Sequence, residues 1–239
     1  MTALDGHVHL PIDTGRVRRA HFAVEVLDAV TLSRVVTGIT LTVGGMTTQP
    51  LTNAGGLFVW TLPRDGGPIP VPVPVSISVD PGRLPYEKAS MAVPPIDIAK
   101  PPLLSVPLAP RRDYPFAPGV AGVRATLTQD ATVKPFQPLA QVPVWLQWVD
   151  PAISVTTWVD SPVRSLTNDD GDFAAIARIA VSQSAGLDAQ GHLRLRLAAV
   201  YSSITQYSPE FAIPQGRVVN VTDPMDPAIP AFGWTTFTP

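Results

Sequence analysis

Metal or proton-transfer chemistry would fall first to the histidines, and the chain has four: His7, His9, His21 and His192. Only His7-Val8-His9, with Asp5 just ahead of it, forms a cluster. On an extended segment an i, i+2 pair projects to one face, so both imidazoles could meet a single ion. Further ligands would have to come from Asp5, Asp13 or a symmetry-related chain, and imidazoles without fixed outer hydrogen-bond partners bind weakly. The plainer reading is a polar chain end. His7 and His9 therefore stand as weak metal candidates, and no cofactor is assigned.

Carboxylates concentrate at Asn168-Asp169-Asp170-Gly171-Asp172, a composition that hard cations favour. An EF-hand register fails, because Leu166 falls at the first ligand position and Ala177 where the closing glutamate belongs. The segment reads instead as a tight turn, since Asn, Asp and Gly tolerate positive φ. For nucleophilic catalysis there is no Gly-x-Ser-x-Gly elbow. The glutamates, Glu25, Glu87 and Glu210, form no local acid pair for glycoside chemistry. None of Lys88, Lys100 and Lys134 follows a glycine-rich phosphate loop. No catalytic residues are assigned, and the protein is expected not to be an enzyme.

Aromatic side chains give the remaining candidates. Trp145 and Trp148 would project to opposite faces of a strand, so at least one is expected to be exposed, as a sugar-stacking platform or an anchor for a protein partner. The alternative is that one is a core tryptophan and the other rests under a proline-rich loop. Phe232, Trp234 and Phe237 lie in a tail with Pro224, Pro227, Pro230 and Pro239, too proline-rich for a core element. With Tyr114, Phe116, Trp145 and Trp148 these three make seven interface candidates.

The elements that must position these residues are strands. The chain has 239 residues, 45% hydrophobic, enough to bury real cores. Proline is the outlier at 28 residues, against an ordinary share of ~5%, which makes long helices improbable. Charged residues are 15% with a net charge of −2, so no broad field exists to hold nucleic acid or an anionic membrane. Cysteine is absent, which excludes disulfides and thiolate chemistry. The start has neither a basic stretch nor an apolar core of the secretory kind, and no apolar run approaches a membrane span. The expected location is the cytoplasm, or release as part of a particle.

Short runs with strand character recur: 22–27, 39–43, 57–62, 75–79, then 123–127, 142–148, 173–181, 193–197 and 211–213. Leu51-Thr52-Asn53-Ala54-Gly55-Gly56-Leu57-Phe58 reappears 115 residues later as Leu166-Thr167-Asn168-Asp169-Asp170-Gly171-Asp172-Phe173. Both copies read as a β-hairpin that opens its second strand on an inward Phe. The predicted fold is all-β, two tandem Ig-like antiparallel β-sandwiches. They span 17–109 and 120–222, with an N-terminal arm 1–16, a stiff Pro-rich linker 110–119 and a tail 223–239. The alternating Pro/aliphatic strip at 68–74 suits an edge strand protected from pairing, or a recognition strip.

The repeated Thr-Asn-x-x-Gly-x-Phe hairpin resembles the "T-D-x-x-G-x-F" turn of carboxypeptidase-regulatory-like, transthyretin-like sandwich domains. The stretch from Tyr114-Pro115-Phe116 to Val123-Arg124-Ala125 is similar to the opening of such domains encoded with phage-like contractile tails and contractile injection systems. The resemblance covers roughly 17–221 and implies a non-catalytic module. The expected function is a structural component docking through protein–protein contacts on a larger particle, with other subunits or copies of itself as partners. The alternatives are a carbohydrate-binding or adhesin module using the tryptophans, and an accessory domain of an enzyme.

Overall fold

Alternation along the first strand sets the pattern for the molecule. The structure is a computed structural model that describes residues 20–61, 74–96, 102–129, 137–152 and 157–220. Within these the strands run β1 (Ala20–Asp28), β2 (Thr40–Gly44), β3 (Leu51–Thr52), β4 (Phe58–Thr61), β5 (Ser76–Asp80), β6 (Ala89–Ala92), β7 (Leu103–Leu108) and β8 (Ala121–Thr126). They continue with β9 (Pro143–Val149), β10 (Trp158–Asp160), β11 (Ser165–Leu166), β12 (Asp172–Ala177), β13 (Leu193–Tyr201), β14 (Ile204–Tyr207), β15 (Phe211–Ile213) and β16 (Val218–Asn220). The fold is all-β, and among the described residues no helix is long and apolar enough to cross a membrane.

Phe22, Val24 and Val26 fill one face of β1 and are fully buried. They meet Val43, Ile77 and Val79 from the sheet β2-β5-β6, so the sheet β3-β4-β1-β7 packs on it as a sandwich with one apolar core. Trp60 stacks on Phe22 at 4.8 Å and an 8° interplanar angle, and its indole N–H donates to Thr48 O at 3.0 Å. The second core joins Val123, Ala125 and Phe173 to Val144, Leu146, Trp148, Leu195 and Leu197. There the sheet β12-β8-β16 faces β10-β9-β13-β14, with β11 also on β9 and β15 also on β13.

The two halves share a plan. In each, the first strand pairs antiparallel with the strand after the repeated turn, β4 or β12, and parallel with the last, β7 or β16. The facing sheet is founded on another antiparallel pair, β2–β5 or β9–β13.

The repeated turn is the same device twice. Asn53 and Asn168 each take a backbone N–H at i+4 on their side-chain oxygen, and each carbonyl accepts the N–H of a glycine three residues on. Those glycines are Gly56 at φ 77° and Gly171 at φ 76°, so Gly56 rather than Gly55 holds the left-handed position. The strands entering the two turns differ from the expected pair of hairpins. β3 pairs with β4, whereas β11 pairs with β9 in the opposite sheet. Thr167 is the reason: its buried hydroxyl donates to Leu139 O at 2.6 Å and accepts Val142 N–H at 2.8 Å, tying the strand to the β9 side.

A side chain at Gly171 would meet the backbone carbonyl of Leu127, whereas one at Gly56 would meet Val36 Cγ2 at 2.8 Å, a side-chain atom that can turn away. Gly171→Ala is therefore expected to cost about 2 kcal/mol or more and Gly56→Ala about 1 kcal/mol in urea unfolding. Equal losses would contradict this reading of the turn.

Candidate functional site

The inward row of β1 ends on an acid. Asp28 follows Phe22, Val24 and Val26 on the buried face and is itself 4% exposed. A carboxylate in that position must be hydrogen-bonded. Val30 N–H donates to Oδ1 at 2.7 Å, and Thr31 donates from its N–H at 3.3 Å and from its hydroxyl, to Oδ2, at 2.9 Å. Tyr114 donates its hydroxyl to Oδ2 at 2.6 Å and Tyr86 at 3.3 Å.

Tyr114 comes from the segment expected to link the halves. That segment is not an extended polyproline stretch, because Tyr114 N–H returns to Arg111 O, Phe116 N–H to Tyr114 O and Val120 N–H to Ala117 O. Glu87 N–H donates to Ala109 O and Arg111 N–H to Pro85 O, which fastens the segment to the first half. Ala29, Val163 and Ile176 form a third buried cluster, with Val30, Phe116 and Val120 packed on it. This cluster draws on both halves. Arg124 of β8 donates to Tyr114 O at 2.6 Å and lies 5.1 Å above the Phe116 ring.

Two open clefts flank the junction. One, of about 400 Å³, is lined by Arg111, Arg112, Asp113, Arg124, Asn168, Asp172 and Asn220. Its charges are largely paired, Arg111 with Asp113 and Arg112 with Asp172. The other, of about 340 Å³, is lined by Glu87, Asp169 and Arg111 among others. Burial pushes the Glu87 carboxyl up, Arg111 opposes this, and Asp113, Asp169 and Asp172 add to the rise. The acids of the repeated turn do not converge: Asp172 accepts from Thr126 and Arg112, and no group of three metal-ligating side chains occurs among the described residues.

On the outer face of the sheet built on β9 and β13 lies a second constellation. Trp145 donates its indole N–H to Asp160 Oδ1 at 2.9 Å, and the Arg164 guanidinium sits 3.9 Å over its ring and pairs with Asp160 Oδ2 at 2.8 Å. Gln147 donates to Asp160 and accepts Arg196 Nε–H at 2.5 Å. Burial pushes Asp160 up, but the hydrogen bonds from Gln147, Arg164 and Trp145 outweigh it and leave the carboxyl below its usual range. Arg196 is held between Trp158 at 4.5 Å and Tyr207 at 4.1 Å. Such contacts are worth about 0.5–2 kcal/mol each.

The sequence-derived candidates thus divide. Trp145 and Trp148 do face opposite sides, but both are buried, Trp148 in the core and Trp145 under Arg164, so neither is the exposed anchor expected of them. Tyr114 is enclosed by its bond to Asp28, and Phe116 is half-buried in the junction. His7, His9, Phe232, Trp234 and Phe237 lie outside the described residues, as does the strip 68–74 except for Pro74. Sequence reasoning missed Asp28, Tyr86, Arg164 and Arg196. The available signal for Asp28 was an acid on the inward parity of an apolar strand.

No protein-family model matches the chain, and a search of curated proteins finds no match. Among solved structures, the Bacillus anthracis TIE protein is matched over 85% of this chain and 33% of its own, with 10% identity and a TM-score of 0.25. This chain therefore spans about a third of that protein's length.

Burial first, then the charge of Asp28 and the bond to it, push the Tyr86 phenol up to about 12, and burial and the same carboxylate raise Tyr114 further. A raised phenol means the folded state holds its proton more tightly. Stability is then complete below the ordinary tyrosine value of about 10 and falls as pH rises through about 12. Tyr114→Phe should cost about 1–3 kcal/mol at neutral pH. The double variant with Tyr86→Phe should flatten the alkaline decline in urea-unfolding free energy; an unchanged decline would contradict the assignment.

Proposed function

We propose that the protein is a non-catalytic structural component that docks through protein–protein contacts on a larger assembly, of the contractile-tail or contractile-injection kind. The observation that carries this reading is the Trp158–Arg196–Tyr207 stack on the outer sheet face. Tryptophan, tyrosine and arginine are the residues that dominate the centres of protein interfaces, and here a half-buried arginine is held by two rings. Burial lowers the Arg196 pKa against the opposing pull of Tyr207 and Asp160, so part of the cost of covering that charge is met before a partner arrives.

Two further features support the reading. The resemblance of the repeated turn to transthyretin-like domains suits a scaffold that carries surfaces rather than chemistry. The junction at Asp28 joins the two sandwiches, which suits a component that presents its surface in a fixed direction. The guanidinium groups over Trp145 and between Trp158 and Tyr207 occupy the ring faces that a sugar would stack on, which favours a protein partner over a glycan.

Gentle lysis of the native host followed by size separation and electron microscopy tests this. The protein should travel with a sheathed or tubular particle, and Trp158→Ala with Arg196→Ala should release it although circular dichroism shows the variant still folded. Migration of the wild-type protein free of any particle, as monomer or dimer, would overturn the reading.

A further inference from the structure

β13 and β14 are joined by a two-residue turn, Ser202-Ser203, with both residues at positive φ, 50° and 65°. This is a type I′ geometry, in which the flanking pair Tyr201 and Ile204 exchange backbone hydrogen bonds. Hydrogen-bonded and non-hydrogen-bonded pairs then alternate along the hairpin. Val200↔Thr205 and Ala198↔Tyr207 are non-hydrogen-bonded pairs, so the N–H and C=O groups of Thr205 and Tyr207 point away from β13. β14 ends its sheet, and among the described residues no strand pairs with that outer side.

Two other edges hold or adjoin proline: β7 carries Pro107, and β6 is followed, after Val93, by Pro94-Pro95. β14, Ile204-Thr205-Gln206-Tyr207, has neither proline nor charge, and Ile204 and Tyr207 are exposed at 56% and 47%.

We propose that β14 pairs antiparallel with β14 of a second copy of this chain, about a two-fold axis through Gln206. In a continuous antiparallel sheet the axis stands perpendicular to the sheet, so facing residues must share parity. A register centred on Gln206 sets Thr205 against Tyr207 of the partner, twice. These are the residues whose backbone groups point outward, so each of the two pairs closes a narrow hydrogen-bonded ring. The facing side chains are β-branched against aromatic, a favourable cross-strand pair, and the central Gln206–Gln206 pair is uncharged. The second copy is the occupant because the strand complements itself: two identical edges satisfy each other without bringing like charges together. This dimer does not depend on particle docking, which uses the outer face of the sheet rather than the hydrogen-bonding edge of β14, and it should form in the purified protein.

Sedimentation equilibrium of the full chain at about 100 μM, a concentration that reveals weak interfaces, provides the test. Wild type should show twice the 25.4 kDa chain mass. Thr205→Pro removes an outward N–H that β13 does not use and should leave a folded monomer. Gln206→Lys and Gln206→Glu, each placing like charges side by side at the axis, should each be monomeric, and their equimolar mixture should recover the dimer. A monomeric wild type would overturn the proposal. So would a dimer that survives Thr205→Pro in folded protein, or one that either charge variant leaves intact, and the charge-swap pair keeps the test decisive should the proline variant fail to fold.

Discussion

A carboxylate stands where the pattern of β1 calls for a fourth apolar side chain. Asp28 cannot be buried without donors, and the local turn supplies those of Val30 and Thr31. The remaining donors are tyrosine hydroxyls from elsewhere, Tyr86 before β6 and Tyr114 beyond β7. Satisfying one acid in the first sandwich therefore fixes the path of the chain as it enters the second. Phe116 and Val120 are carried onto Ala29, Val163 and Ile176 by the same path, and Arg124 closes over the peptide of Tyr114. What would otherwise be two beads on a proline string becomes a jointed solid.

The consequence for function is geometric. Rigid placement of the second sandwich fixes the direction in which its outer sheet face points, with Arg196 between two rings and Asp160 gathering the donors of Trp145, Gln147 and Arg164. Most of those polar groups are spent on one another, so the face is preformed and a partner would meet little disorder. The free edge of β14 adjoins the same face through Tyr207.

Much of this was legible in the sequence. Clean alternation announced β1, β5 and the first part of β13, and the Thr-Asn repeat announced two copies of one plan. The copy register became certain only with the φ of Gly56. β7 was missed although Leu104, Val106 and Leu108 alternate inward, because Pro107 argues against a strand until its outward place on an edge is known. β14 and β10 were missed because short half-exposed strands have no apolar face to read. Trp145 and Trp148 were rightly set on opposite faces, but sequence spacing could not reveal that Arg164, 19 residues further along, would cover the outer one. The Asp28 network joins residues 58 and 86 positions apart, a distance over which pattern carries no information.

That the two sandwiches behave as one body is the claim on which the rest turns, and residual dipolar couplings of the weakly aligned, nitrogen-15-labelled protein test it directly. Amides of residues 20–108 and 121–220 should fit a single alignment tensor in the wild type. Two tensors of different magnitude and orientation would show that the halves move independently and that the Asp28 junction does not hold them.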